Sequence, residues 1–397
     1  MERITIERFL ELARSQPVFD VRSPGEYVHA HIPAAHSLPL FTDEERKVVG
    51  TAYKQQSREN AIKIGLDFFG PKMRDLVEDV EKIIKLTIEK KEPPNNKSNE
   101  KQETRNVLLH CWRGGMRSAA VAWLLDLYGF KVYTLEGGYK AYRNWVLQQF
   151  EKEYNFKIIG GYTGSGKTPL LHEIEKGGHA IIDLEASANH KGSALGGIGQ
   201  EPQPSQEMFE NVLAAKLAFV KRNSNYREQS KDDQPPTANC ICLEDESQRI
   251  GNLQIPMALW NTMRKSAVLF MDIPFEARLD YLTEEYSIHP KEKLVNAVTR
   301  IQKRLGGLET KNAINFLLEE NHKEAFRILL KYYDKWYAKG LYNRENANEL
   351  IQKIPATGVN TDTNISLIKQ RLLPAFSESL SIEEGGGVRS KKLQWKK

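Results

Sequence analysis

Cys111 is the first residue whose surroundings imply chemistry. It sits in V-L-L-H-C-W-R-G-G-M-R-S, Val107 to Ser118, where a short apolar run delivers the thiol into a loop rich in Gly and Arg. A strand, a tight loop and a helix start would place its sulfur among backbone N–H groups, beside Arg113 and Arg117 and the positive end of a helix dipole. That setting favours a thiolate, and the same donors can hold an oxyanion. The loop suits a cysteine that takes a sulfur or selenium atom, or a phosphoryl group, from a small anionic donor. The alternative, a buried structural Cys, would need neither the two glycines nor the two arginines.

The second constellation is G-Y-T-G-S-G-K-T, Gly161 to Thr168, a full G-x4-G-K-T phosphate loop. Backbone N–H groups around Gly161, Gly164, Ser165 and Gly166 would cradle a di- or triphosphate. Lys167 would neutralise the outer oxygens, and Thr168 could ligate Mg²⁺ through its hydroxyl. Acidic residues follow at the ends of apolar runs: Asp183, Glu185, Glu244, Asp245 and Asp272. Glu244 and Asp245 are the expected metal-side carboxylates, with helix caps and solvated strand ends as the alternative.

The elements that must position these groups follow from pattern. Met1 to Ser15 has helical apolar spacing, ended by Pro17 before a strand at Val18 to Val21, and Ala119 to Tyr128 reads as a helix after the Cys111 loop. Ala141 to Tyr154 is expected as a helix bridging to a second domain. There, Phe156 to Ile159 leads into the phosphate loop, and Ala180 to Leu184, Cys240 to Leu243 and Ala267 to Ile273 fit parallel strands. Cys240 and Cys242 are expected to face opposite ways and to pack rather than bind metal. Gly306-Gly307 should end a basic helix holding Arg300, Lys303 and Arg304, which could reach phosphates. Thr310 to Leu341 is helical with an aromatic stripe including Phe316, Phe326, Tyr333, Trp336 and Tyr337, a core face that could also line a lipid-like pocket. The polar runs 90–106 and 223–239 read as exposed insertions, and the tail 376–397 as disordered.

At 397 residues the chain has room for two domains. Its balance of 57 basic against 52 acidic residues, +5 net, allows a local basic face without establishing nucleic-acid binding. Three cysteines make no disulfide framework, and no N-terminal apolar segment resembles a signal peptide or span. The expectation is a soluble cytoplasmic protein with no membrane partner and no tightly bound cofactor; its oligomeric state is left open.

Together, D-V-R-S-P-x-E-Y-x-x-A-H-I-P-A-A from Asp20 and the Cys111 loop resemble the rhodanese (sulfurtransferase) domain, over roughly 1–148. The resemblance adds Asp20 and Arg22 to the catalytic candidates Cys111, Arg113 and Arg117. Many rhodaneses place the loop Arg one residue nearer the Cys. The C-x5-R spacing here is that of phosphatases, and a wider loop admits an anion of phosphate or selenophosphate size. No general-acid loop supports a phosphatase.

The intervening sequences are more specific. F-T-D-E-E-R-K-V-V-G-T-A-Y-K-Q-Q-S from Phe41 to Ser57, Asp183-Leu184-Glu185, His190-Lys191-Gly192-Ser193, Gln203-Pro204-Ser205-Gln206 and Glu244-Asp245-Glu246-Ser247-Gln248-Arg249-Ile250-Gly251 resemble the tRNA 2-selenouridine synthase family. The resemblance implies an α/β chain with an N-terminal rhodanese-like domain, a P-loop NTPase-like parallel-sheet domain over 152–375, and helical C-terminal additions. It implies an enzyme that geranylates the 2-thiouridine at the wobble position of tRNA, using geranyl diphosphate. The S-geranyl group is then replaced by selenium from selenophosphate, which a selenophosphate-producing enzyme would supply. Trp112, Tyr162, His190, Lys191, Arg300 and Arg304 are candidates for tRNA contact. The competing readings are a rhodanese-type sulfurtransferase fused to a P-loop nucleotide kinase, and a tRNA- or nucleotide-sensing module with a regulatory Cys loop.

Overall fold

The computed structural model describes residues 1–89, 105–229 and 240–372. The tail 376–397, residues 90–104 of the first polar insertion and residues 230–239 of the second lie outside these ranges. Residues 223–229, read as insertion, instead continue a helix.

Five short strands form the first sheet: β1 (Glu2–Ile4), β2 (Val18–Asp20), β3 (His36–Ser37), β4 (Asn106–His110) and β5 (Lys131–Leu135). Their order is β1-β5-β4-β2-β3 and every pairing is parallel. The apolar run of β4 is buried, as a central parallel strand covered on both faces requires. Seven helices surround this sheet: α1 (Ile6–Leu12), α2 (Pro24–His29), α3 (Asp43–Gln55), α4 (Arg58–Phe69), α5 (Met73–Glu89), α6 (Met116–Tyr128) and α7 (Gly138–Phe150). Two expectations are corrected. The N-terminal segment splits into β1 and α1, because Glu2, Arg3 and Ile4 pair with Tyr133, Thr134 and Leu135 on the sheet edge. The helix after the Cys loop begins at Met116 rather than Ala119. A capping box starts α3: Thr42 Oγ1 accepts from the Glu45 N–H at 3.2 Å, and Glu45 accepts from the Thr42 N–H at 2.9 Å.

The second sheet contains β6 (Phe156–Gly161), β7 (Ala180–Ile182), β8 (Ile241–Glu244), β11 (Ala267–Asp272) and β12 (Ile351–Pro355), in the parallel order β12-β11-β6-β8-β7. β9 (Arg249–Ile250) and β10 (Leu253–Gln254) form a separate antiparallel pair. The helices are α8 (Lys167–Lys176), α9 (Leu184–Ala188), α10 (Gln206–Gln229), α11 (Met257–Arg264), α12 (Phe275–Tyr286), α13 (Lys291–Arg300), α14 (Gln302–Leu305), α15 (Gly307–Leu318), α16 (His322–Tyr342), α17 (Ala347–Leu350) and α18 (Thr361–Leu372). The basic segment is thus two helices, with Arg300 ending α13 and Lys303 and Arg304 on α14. The aromatic stripe is largely core: Leu317, Phe326, Leu329 and Leu330 are buried in one cluster, while Trp336 is exposed. Cys240 and Cys242 are both buried in a single cluster, facing the same way because residues two apart on a strand share a face.

One apolar cluster runs through both domains. Tyr139, Tyr142 and Val146 of α7 share it with Phe209, Leu213 and Leu217 of α10 and with Phe156 and Ile241 of the second sheet. Hydrogen bonds lock this junction: the Tyr139 hydroxyl donates to Glu207 at 2.9 Å and accepts from Asn211 Nδ2 at 2.8 Å, and the same amide donates to His31 O. Beneath it Arg22 and Asp20 are both fully buried and paired, Nη2 to Oδ2 at 2.6 Å, with a further bond from Nη2 to Ala30 O. The guanidinium lies 3.8 Å from the Tyr139 ring centroid.

Removing one partner of a buried ion pair strands the other charge. Arg22→Met should therefore cost on the order of 3–5 kcal/mol in urea unfolding, with much of that regained in Asp20→Asn/Arg22→Met. An unchanged midpoint in the single variant would contradict the pairing.

Candidate active sites at two strand-to-helix loops

Cys111 follows β4 directly, and the N-terminus of α6 closes its loop. The sulfur lies 3.3 Å from the Gly115 nitrogen, whose N–H donates to it, and 3.2 Å from Ser118 Oγ. Burial pushes the thiol up, but the Ser118 hydroxyl and the N–H groups of Ser118, Gly115 and Arg113 outweigh it and hold the pKa below that of an ordinary cysteine. The start of α7 braces the loop from behind: the Tyr139 N–H donates to Cys111 O at 2.8 Å and the Lys140 N–H to Trp112 O at 3.0 Å. Gly138, at φ +58°, allows this approach, since a Cβ there would stand 2.3 Å from Cys111 O and 2.4 Å from Gly114 N.

The arginines divide their roles. Arg113 is exposed on the loop and faces the cleft beside Cys111. Arg117 bonds Glu26 at 2.7 Å, and Arg46 joins the same carboxylate at 2.9 Å. Two arginines on one carboxylate leave net positive charge near the loop, with Glu26 held below the usual carboxylate range despite its burial. Asp20 and Arg22, expected to be catalytic, are fully buried, bonded to each other and stacked under Tyr139. They brace the loop through Tyr139, and in this buried pairing neither lines the cleft beside Cys111.

The phosphate loop follows β6 and ends in α8, whose N-cap Gly166 has φ +68°, a left-handed conformation that only glycine adopts freely. Lys167 Nζ bonds Gly161 O at 3.3 Å, and Thr168 Oγ1 donates to Glu185 at 2.7 Å. The carboxylate beside Thr168 is thus Glu185, and neither Glu244 nor Asp245. Glu244 is buried at the end of β8, where Oε1 accepts from the N–H groups of Leu184 and Glu185 at 2.9 and 3.0 Å. It caps α9 and so places Glu185. Asp245 is paired with Arg344 and accepts from the Tyr337 hydroxyl at 2.7 Å, while that hydroxyl accepts from the Gly161 N–H at 3.1 Å.

Burial, together with Glu185, pushes Glu246 up to about 8, against the pull of Lys167; Glu185 is also raised, chiefly by burial. The mouth of the phosphate loop therefore holds two carboxyl groups, Glu185 and Glu246, whose pKa values burial raises above the ordinary carboxylate range. Among the described residues, no three carboxylate, imidazole or thiol groups converge as a metal cage. Thr168 and Glu185 nevertheless fit Mg²⁺, which is commonly held by one or two protein oxygens plus substrate phosphates. The Ser165 hydroxyl, buried without a partner, is a further polar atom in this cradle.

Three positioning residues carry no motif in the sequence. Arg278, buried, donates to Thr163 O at 3.0 Å and pairs with Asp334 at 2.7 Å, holding the phosphate loop from below. Arg344 and Tyr337 tie the same loop to β8 through Asp245. Of the tRNA candidates, Trp112 lies over Tyr139 and is 38% exposed. Tyr162 packs against Phe270 and Tyr337. His190 is half-buried, exposed Lys191 pairs with Glu285, and Arg300 reaches Ala194 O at 3.4 Å, so these three gather at the 190–198 loop; Arg304 is exposed on α14.

Comparison with known proteins divides the chain at the same junction. The family described as Rhodanese-like domain matches residues 5–144, and the tRNA 2-selenouridine synthase AAA domain matches residues 154–353. A tRNA 2-selenouridine synthase from Hydrogenovibrio crunogenus is 33% identical over 81% of this chain and 88% of its own length. One from Sulfurovum sp. is 32% identical over 84% and 93%. One from Nitrosomonas europaea is 34% identical over 68% of this chain and 63% of that protein. With a Rhodanese-like domain joined through one core to this AAA domain, and relatives 32–33% identical over more than four-fifths of its length, the chain belongs to the tRNA 2-selenouridine synthase family.

Proposed function

We propose that this chain modifies the wobble uridine of 2-thiouridine-containing tRNA in two steps, geranyl transfer and then selenium transfer. The observation that carries the reading is the pairing, on one shared core, of a phosphate loop with a thiolate-favouring Cys loop.

The first step joins the thiocarbonyl sulfur to C1 of geranyl diphosphate and breaks the C–O bond, releasing diphosphate. An allylic diphosphate ionises when its leaving group is stabilised. The N–H groups of the phosphate loop, the start of α8 and Lys167 supply that stabilisation. Thr168 and Glu185 would hold Mg²⁺, which when bound adds positive charge against the leaving oxygens. On this reading the loop needs no ATP hydrolysis.

The second step exploits the alkylation. A thiocarbonyl sulfur is a poor leaving group, whereas an S-geranyl thioether departs as geranylthiol once selenium adds at the ring carbon. Selenophosphate supplies the selenium and water takes up the phosphoryl group, so the products are the selenocarbonyl base, geranylthiol and phosphate. Cys111 binds and positions the intact selenium donor, so the selenium keeps its oxidation level as it passes to the ring carbon; the Gly115 N–H, Ser118 and Arg113 steady the anion. A selenophosphate-producing enzyme would be the donor source, in the cytoplasm where tRNA is found.

Cys111→Ser is expected to accumulate S-geranyl nucleoside with no selenium, and Lys167→Ala to lose geranylation by at least about a hundredfold, both read by nucleoside mass spectrometry. Selenation by Cys111→Ser, or unchanged geranylation by Lys167→Ala, would contradict the assignments. Because hydrogen bonding holds the Cys111 pKa down, its alkylation by iodoacetamide, followed on the Cys111 peptide, should titrate below an ordinary thiol. Ser118→Ala removes a donor to the thiolate and should move that midpoint upward. A midpoint that stays put would remove Ser118 from the activation of the thiol.

A further inference from the structure

A cleft of about 860 Å³ opens beside Cys111, between α3, α4 and the start of α6. This is within the roughly 300–1,000 Å³ typical of ligand sites. Cys111 and Arg113 are part of its lining. The wall beyond them is apolar: Leu40, Phe41, Val49, Ile62, Leu66 and Phe69. Leu66 is 56% exposed and Ile62 37%, so this wall is open to solvent and nothing among the described residues covers it. The same cleft carries Arg46, Lys47 and Lys54.

A selenium donor of phosphate size needs only the N–H groups and charge at Cys111, and an apolar wall would repay none of its desolvation. The cleft therefore exceeds what the donor requires. Its basic residues match RNA phosphates, and its apolar wall matches a substrate part that is neither phosphate nor nucleobase edge. We propose that it receives the ten-carbon S-alkyl chain of the modified nucleobase during selenium transfer; this rests on the two-step reading above. The chain lies along Ile62 and Leu66, the RNA backbone meets Arg46, Lys47 and Lys54, and the ring carbon that bears the thioether is brought to the selenium donor held at Cys111. The wall then works as a positioning surface: burial of the chain fixes the reacting carbon, and a base that has not been alkylated lacks that anchor. The order of the two steps would follow from this selection.

The test uses the full chain and two anticodon stem-loop RNAs, one bearing S-geranyl-2-thiouridine and the other S-methyl-2-thiouridine. Anisotropy gives Kd and nucleoside mass spectrometry gives kcat/KM for selenium incorporation. Wild type should prefer the S-geranyl RNA by at least about tenfold, because each buried methylene adds to binding. Ile62→Asn and Leu66→Asn are polar, uncharged and solvent-facing, and should erase most of that preference, with the S-geranyl RNA affected far more than the S-methyl RNA. Equal kcat/KM on both RNAs in wild type, a preference retained by both variants, or equal losses on both RNAs would overturn the cleft assignment and leave the two-step reading standing. A wild type that releases no geranylthiol from S-geranyl RNA in the presence of selenophosphate would overturn that reading, and the assignment with it.

Discussion

Both sites depend on one constraint, the unsatisfied N–H groups where a helix follows a central parallel strand. In the order β1-β5-β4-β2-β3 the middle strand is β4, and in β12-β11-β6-β8-β7 it is β6. β4 connects onward to β5 on one side while its neighbour β2 connects to β3 on the other, and β6 connects onward to β7 on one side while its neighbour β11 connects to β12 on the other; such a reversal opens a crevice at the carboxyl ends of the strands. Cys111 sits at the first crevice and the Gly161–Thr168 loop at the second. The chemistry differs only in what the sequence places there, a thiol in one and Lys167 with Thr168 in the other.

Holding such loops in place takes buried, mutually paired polar groups behind them. Asp20 and Arg22 support Tyr139, which bonds the Cys111 carbonyl through its N–H and reaches α10 through its hydroxyl. Arg278 and the Asp245–Arg344–Tyr337 group do the same for the phosphate loop. The same residues that aim the Cys loop thus also join the domains, and α7 and α10 form a single packed unit between the two crevices. A shared core of this kind keeps the two loops on one body.

The loops themselves were legible in the sequence because their chemistry is local. The G-x4-G-K-T run and the Cys111 loop each carry their donors within a few residues, and the long buried runs of β4, β6 and β11 read directly as strands. What distance in sequence separates was harder to read. Glu185 meets Thr168 across the rest of α8 and β7, whereas Glu244 and Asp245 looked better placed for metal; the backbone partners of Glu244 at the start of α9 and the Arg344 partner of Asp245 are visible only in the fold. Asp20 and Arg22 carried a motif, but that they are buried and paired with each other beneath Tyr139 shows only in the fold. Residues 2–4 follow helical spacing yet pair with β5, because an edge position on the sheet outweighs weak local propensity. The cleft beside Cys111 could not be read as a cleft: Phe41 to Ser57 carried a family resemblance, but only the fold brings α3 and α4 together beside the Cys loop.

The most direct measurement is a time course of nucleoside masses from 2-thiouridine tRNA incubated with the full chain and geranyl diphosphate, with selenophosphate added after the first product has formed. The account predicts a geranyl mass gain that persists without selenophosphate and converts, on its addition, to a species with the selenium isotope pattern. A nucleoside mass that never changes while ATP is consumed would contradict it and point instead to a phosphoryl-transferring second domain.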